Sequence, residues 1–345
     1  MKLATVKALP QADLAHVLQF ARQDLERLRG ASLFVTGGTG FFGKWLVSTF
    51  LHANRELQLG ASMTVLTRDP EKFRTECPDQ AADPALVLHS GEVRTFTFPQ
   101  RRFSHIILGA SGPGQGPLDQ FSTIVDGTRH TLDFAARCGA QRVLFLSSGA
   151  VYGPQPADIT HVSETCVGAP DPLQPGSTYG EAKRAAEHLC CTFSAVHDFE
   201  FVIARCFAFS GPHLPLDANF AIGNFMGDVL ARRPILIQGD GTPYRSYLYA
   251  ADLAVWLWAL LLRGASGRAY NVGSDEDVTI SELAHAVAEA GGGQNGVQIS
   301  RPRIPGAQPT RYVPAIERAR TELGLDVRIK LQEGIKRTLN WLEKS

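Results

Sequence analysis

Apolar positions along this chain follow two different periods. Over 12–29, Leu14, Val17, Leu18, Ala21, Leu25 and Leu28 recur at helical spacing with polar residues between them. That pattern predicts an amphipathic helix laid over the chain's own surface. Gly30 ends it. Short apolar runs then take over at 33–35, 63–67, 86–89, 105–108, 142–147 and 201–205, and they read as buried strands. Between several of them the helical period returns, predicting helices over 41–54, 118–138 and 178–197. Alternating strands and helices imply an α/β fold with a parallel, doubly wound sheet. Ligands in such sheets bind outside the carboxyl ends of the strands. The residues just after 36, 67, 89, 108, 147 and 205 therefore matter most.

Past 205 the texture changes. Proline and glycine become frequent, as in Gly211-Pro212, Pro234, Gly239, Gly241, Pro243 and Gly291-Gly292-Gly293. Helices are predicted there near 250–263 and 279–290. The expected organisation is an N-terminal amphipathic extension over 1–30, a doubly wound domain over 31–205 with a returning segment near 243–272, and a smaller, loop-rich lobe over 206–345. The motifs below make the doubly wound part a dinucleotide-binding domain and the smaller part a substrate-binding lobe. No internal repeat or low-complexity tract interrupts it.

The chain has 345 residues, with 34 Lys and Arg against 34 Asp and Glu. Without a basic surplus, nucleic acid and anionic membranes are not expected partners. The richest apolar stretch, 254–262, is too short to span a bilayer. Asp13, Asp24 and Glu26 interrupt any signal-peptide pattern. The six cysteines form no CxxC pair. These features predict no metal site and a reducing, cytoplasmic setting.

Two clusters carry chemistry. Gly37, Gly40 and Gly43 follow the first strand at spacings of three. A tight turn, a close approach of backbone to phosphate and a helix amino end together predict a Rossmann-type seat for a dinucleotide diphosphate. An ordinary glycine-rich strand-to-helix turn is the bland alternative. Second, Tyr179 and Lys183 lie four apart on a predicted helix, hence on one face. An ammonium beside a phenol stabilises the phenolate, which can then take a proton from a sugar or alcohol hydroxyl. Ser147 and Ser148 close the preceding strand, placing a hydroxyl at the sheet's carboxyl edge.

With those residues assembled, the chain resembles the extended short-chain dehydrogenase/reductase family, in particular its NAD-dependent nucleotide-sugar epimerases and dehydratases. The resemblance runs through Thr36-Gly37-Gly38-Thr39-Gly40-Phe41-Phe42-Gly43, Gly127-Thr128, Ser147-Ser148-Gly149-Ala150-Val151-Tyr152-Gly153 and Tyr179-Gly180-Glu181-Ala182-Lys183. It continues through Arg205 with Gly211-Pro212, Gly239-Asp240-Gly241, Arg245-Ser246-Tyr247-Leu248-Tyr249, Asp252-Leu253-Ala254 and Tyr270-Asn271-Val272-Gly273. It implies that Gly37, Thr39, Gly40 and Gly43, with backbone of Phe41 and Phe42, seat the cofactor. It places Glu92 and Val93 at adenine, and Leu108, Gly109 and Ala110 along the pocket. Tyr179 becomes the acid/base, Lys183 its partner on the ribose, and Ser148 the donor to the forming carbonyl. Arg245, and more weakly Arg311, meet the diphosphate of a nucleoside-diphosphate sugar. A homodimer through the helices at 118–138 and 178–197 is also implied.

Three departures from the family pattern matter. The second strand ends in Thr67-Arg68-Asp69 where NAD users carry an acidic residue. Arg68 favours NADP; Asp69 serves NAD if the register slips by two. The family's 4,6-dehydratases carry an acidic pair after the catalytic hydroxyl, and its sugar-acid decarboxylases an acidic residue there. Here those positions are Gly149 and Ala150, which resembles the epimerases. The asparagine often found after the sixth strand is absent, with Ala208 and Phe209 in its region. The expected activity is transient oxidation at C4 of a nucleoside-diphosphate hexose, epimerase-type. A 4,6-dehydratase and a 4-ketoreductase are the alternatives, and a non-catalytic dinucleotide sensor is the alternative of another class. His213 after Gly211-Pro212, the packing pair Trp256 and Trp258, and Cys206 are lesser candidates.

Overall fold

The computed structural model describes residues 6–112, 114–218, 220–294 and 296–343. The first five residues of the predicted extension and the last two of the predicted lobe lie outside the described residues. The chain forms two compact units. The first is Met1–Gly153, Ala169–Arg205 and Ala254–Tyr270; the second is Pro154–Gly168, Cys206–Leu253 and Asn271–Ser345.

In the first unit, α1 (Gln11–Leu25) precedes β1 (Ser32–Thr36) and α2 (Phe41–Glu56). Then come β2 (Ser62–Thr67), α3 (Pro70–Glu76), α4 (Pro78–Ala81), β3 (Leu86–Ser90) and β4 (His105–Leu108). α5 (Pro117–Cys138), β5 (Arg142–Ser148), α6 (Thr178–Val196) and β6 (Glu200–Cys206) follow. A seven-stranded sheet runs in the order Arg268–Val272, β6, β5, β4, β1, β2, β3. β1 lies inside the sheet and is parallel to both neighbours, with Val35 opposite Val65 of β2 and Ile107 of β4. This is the doubly wound arrangement expected from the alternation.

β1 is apolar at Leu33-Phe34-Val35 because both its faces are covered there. Phe34 joins Phe103 and Phe134 in a core that takes in Ala182, Ala186 and Cys190 of α6. In a separate layer, Trp258 donates its indole N–H to Thr49 of α2 at 3.0 Å, and Arg263 pairs with Asp24 of α1 at 2.6 Å. Trp256 and Trp258 are packing residues, both nearly fully buried. The single helix predicted over 12–29 tightens into a 3-10 turn at Glu26–Leu28, a common way to end a helix. α3 and α4 fall below the length at which periodicity is readable. α3 is fixed by its cap, the Asp69 carboxylate accepting from the Lys72 N–H at 2.9 Å.

The second unit holds short strands and helices. Asp277–Thr279 pairs antiparallel, and Arg311–Tyr312 parallel, with Tyr244–Ser246. The helix Ile280–Ala290 starts with a capping box between Thr279 and Glu282. Asn271 donates its side-chain N–H groups to the carbonyls of Val162 and Ala315 at 2.8 and 3.0 Å. The Asp252 carboxylate accepts from the N–H groups of Arg328 and Ile329. Two motifs of the resemblance thus serve as joints between loops.

Candidate active site

The turn after β1 is built for close approach. Gly37 has φ +75°, and a Cβ there would lie 2.4 Å from the Gly109 carbonyl oxygen. The Gly109 N–H donates to the Thr36 carbonyl at 3.1 Å, so the ends of β1 and β4 are sewn together at backbone level. A Cβ on Gly43 would lie 2.2 Å from the Gly38 backbone; the helix is pressed onto the turn itself. A Cβ on Gly40, by contrast, would meet little beyond Gly37 O at 3.5 Å. Gly40 opens α2 with no side-chain cap, and both Thr39 and Gly40 are exposed. An uncapped, 16-residue helix with an open glycine at its amino end fits a dinucleotide diphosphate. Phe41 and Phe42, half-buried, form the first turn.

Around the remaining strand ends the predicted contacts sort unevenly. Leu108 and Val93 are buried, and Gly109 and Ala110 are half-buried. Both N–H groups of Gly109 and Ala110 lie within hydrogen-bond reach of Thr36 Oγ1. Glu92 is engaged by Arg94, which also reaches Asp119 at 2.8 Å. Arg68 is exposed at the end of β2, while Asp69 is occupied by the cap of α3.

The reactive cluster sits at the end of β5. Tyr179 is half-buried and packed against the core, and Lys183 is 2% exposed. The Lys183 ammonium lies 5.8 Å from the centre of the Tyr179 ring and donates to the Leu146 carbonyl at 2.6 Å. Ser148 is buried, and its hydroxyl accepts from the Ala150 N–H at 3.2 Å, closing the 3-10 turn Gly149–Tyr152. That turn touches α6 directly: a Cβ on Gly180 would come 2.7 Å from the Ala150 carbonyl. Tyr179, Lys183 and Ser148 are thereby held to one strand end.

Sequence reasoning assigned no role to the residues behind them. The Ser147 hydroxyl donates to Glu187 at 2.5 Å. Arg205 grips the same carboxylate with Nε and Nη2, at 3.0 and 2.7 Å, and donates to the Tyr152 hydroxyl at 3.0 Å. Burial works against the Arg205 charge, and Glu187 more than offsets it, holding the guanidinium above its usual range. The available signal was spacing: Glu187 stands one further turn along the face of Tyr179 and Lys183.

In the second unit, the pairing register puts Tyr244 beside Arg311 and Arg245 beside Tyr312. Adjacent strand residues face opposite sides, so Arg245 and Arg311 lie on opposite faces of this small sheet. Arg311 stacks over the Tyr244 ring at 3.9 Å and pairs with Asp277 at 2.6 Å. Arg245, half-buried, donates to the Tyr244 carbonyl at 2.7 Å. His213 has φ 71° and packs its ring on Trp341. Cys206 is buried.

A model of the family described as "NAD dependent epimerase/dehydratase family" matches residues 33–273. UDP-glucuronic acid decarboxylase 5 of Arabidopsis thaliana is 32% identical over 311 residues, covering 88% of this chain and 86% of that protein. UDP-glucuronic acid decarboxylase 6 of the same plant is 29% identical over 307 residues, covering 88% and 86%. Among solved structures, UDP-glucose 4-epimerase of Thermotoga maritima with UDP-glucose superposes with a TM-score of 0.76 at 20% identity, over 91% of this chain and 99% of that one. MoeE5 in complex with UDP-glucose and NAD gives 0.73 at 25% identity, over 91% and 99%.

Proposed function

The chain belongs to the NAD dependent epimerase/dehydratase family, and from that premise we propose that it transiently oxidises C4 of a nucleoside-diphosphate hexose in an epimerase-type reaction. A bound nicotinamide supplies the hydride acceptor and donor at C4. Tyr179, as phenolate, takes the proton of the C4 hydroxyl. Lys183 sustains that charge and meets the cofactor ribose. Ser148 donates a hydrogen bond, keeping its proton, to the oxygen that becomes a carbonyl. After the keto sugar turns over, Tyr179 returns the proton to the C4 oxygen on the opposite configuration. Arg245 is proposed to meet the diphosphate of the sugar nucleotide.

The observation that carries this reading is the turn after Ser148. The sequence relatives above are decarboxylases by name, yet Gly149 and Ala150 stand where the family resemblance puts an acidic pair in dehydratases and an acidic residue in decarboxylases. Neither can move a proton. The commitment of Asp69 to the α3 cap and the exposure of Arg68 support use of NADP alongside NAD. Exposed Leu118 and Phe121 on α5 support a homodimer through α5 and α6. Six free thiols suit a reducing cytoplasm. Among the described residues, no helix is long and apolar enough to cross a membrane.

The test is to incubate the protein with UDP-, dTDP- and GDP-glucose, and with UDP-glucuronic acid, and to follow the sugar by NMR. Inversion at C4 is expected. A 4-keto-6-deoxy sugar identifies a dehydratase, and release of carbon dioxide from the glucuronate a decarboxylase; either result overturns the epimerase reading. Mass spectrometry of dinucleotide released on denaturation identifies the cofactor.

A further inference from the structure

Two side chains bear on the end of β5 in succession along α6. Lys183 holds the Leu146 carbonyl, and Glu187 holds the next residue, Ser147, through its hydroxyl. Ser148 follows directly. Glu187 lies one turn from Lys183, so a bare carboxylate there would draw on the same ammonium that faces Tyr179. Arg205 prevents this by gripping Glu187 with two nitrogens. The pair is well shielded, its side chains 17% and 11% exposed. Water screens such charges less than surface ones.

We propose that Arg205 and Glu187 form a positioning pair: Arg205 neutralises Glu187 so that the Lys183 charge acts on Tyr179, and Glu187 fixes the end of β5 through Ser147. The inference rests on the acid/base role assigned to Tyr179 above. Other charged groups on the packed elements are differently placed. The turn after β5 contributes the Tyr152 phenol, already bonded to Arg205. β5 itself carries Arg142 at its opposite end, paired with Glu200. On α5, Asp126, Arg129 and Arg137 are exposed and Asp133 is half-buried, while His130 is bonded to the Phe96 carbonyl. Cys190, buried beyond Glu187, is held as a neutral thiol by its burial.

The test reads the Tyr179 phenol directly, by near-ultraviolet phenolate absorbance of NAD-loaded protein across pH, with the corresponding Tyr179→Phe protein subtracted. Arg205→Gln frees the Glu187 carboxylate to oppose Lys183, and the titration is expected to rise by about one pH unit. Glu187→Gln keeps an acceptor for Ser147 but removes the negative charge, and the titration is expected to fall. Arg205→Lys keeps the charge and should hold the parent value. A purely structural role would not drive two variants in opposite directions. Titrations that stay put or move together in the Gln variants overturn the pair, as does an Arg205→Lys shift as large as that of Arg205→Gln. Glu187→Gln is nearly isosteric and decides alone if Arg205→Gln does not fold. A parent protein with no Tyr179 titration below the ordinary tyrosine range overturns the acid/base reading as well; a titration that is present but unmoved overturns only the pair.

Discussion

In the first unit, Lys183 and Glu187 are buried or half-buried on α6 and reach successive residues of β5, with Arg205 closing the network from β6. In the second, Asn271 and Asp252 are buried, but their polar atoms meet backbone carbonyls and N–H groups of distant loops. Both sets belong to the motifs, or lie beside them, by which the family resemblance is read. The difference lies in the partners. A buried side chain bonded to backbone fixes where the chain goes. A buried charge bonded to another charge, beside an ionisable group, also sets a local field. Shared motifs therefore mix reactive and architectural residues, and the contact pattern separates them.

The largest expected effect separates the two classes most sharply. Tyr179→Phe should lower turnover about 10³-fold, within the range of general acid–base catalysis, while dinucleotide recovered after denaturation stays stoichiometric. Full turnover in that protein would sink the mechanism. The effect should appear in rate and not in the urea midpoint.

The start of β4, at the opposite end of the strand from the Gly109 contact, sharpens the comparison from the structural side. Burial, reinforced by Arg142, lowers the His105 pKa from 6.5 to about 4. Its folded pKa lies below its unfolded one, so between these values the unfolded chain binds the extra proton. Stability is therefore complete above about pH 6.5 and is lost as pH falls toward 4, by about 3 kcal/mol at ~1.4 kcal/mol per unit. Urea denaturation of the parent and of His105→Asn at several pH values checks this; the variant should lose that part of the slope. A parent-like slope in the variant would assign the acid sensitivity to other groups.

Asn271→Ala should behave as the converse of Tyr179→Phe. It leaves the Val162 and Ala315 carbonyls without their side-chain donors and should cost about 2 kcal/mol. The same variant, assayed well below its melting temperature, should retain the parent turnover. A large loss of turnover with unchanged stability would move Asn271 into the reactive class.

Local patterning made much of the first unit legible. The strands betray themselves as apolar runs because the sheet is covered on both faces. The glycine turn is legible because Gly37 and Gly43 sit where a Cβ would collide with backbone. What was not legible depends on distance along the chain or on strand pairing. Asp24 reads as a polar-face residue of an amphipathic helix, but its partner Arg263 is 239 positions away. Glu187 looks like an ordinary helix charge until β6 delivers Arg205. α3 and α4 are too short to show a period.

Arg245 and Arg311 gave no such clue, because which face each occupies depends on the register of two strands far apart in the chain, Tyr244–Ser246 and Arg311–Tyr312. Parity places them on opposite sides, and this yields the smallest predicted difference. Arg245→Ala removes a charge proposed to meet a diphosphate. A charge-assisted contact is worth roughly 1.5 kcal/mol or more, so KM for the sugar nucleotide should rise about tenfold with little change in melting temperature. Arg311→Ala removes a stack on Tyr244 and a partly exposed pair with Asp277, together worth about 1 kcal/mol. Its effect should fall on the melting temperature, with KM nearly unchanged. A reversed pattern would place the diphosphate on the Arg311 face and break its Asp277 pair on binding. Equal rises in KM for both variants would require the small sheet to be gripped from both sides, which the observed register does not favour.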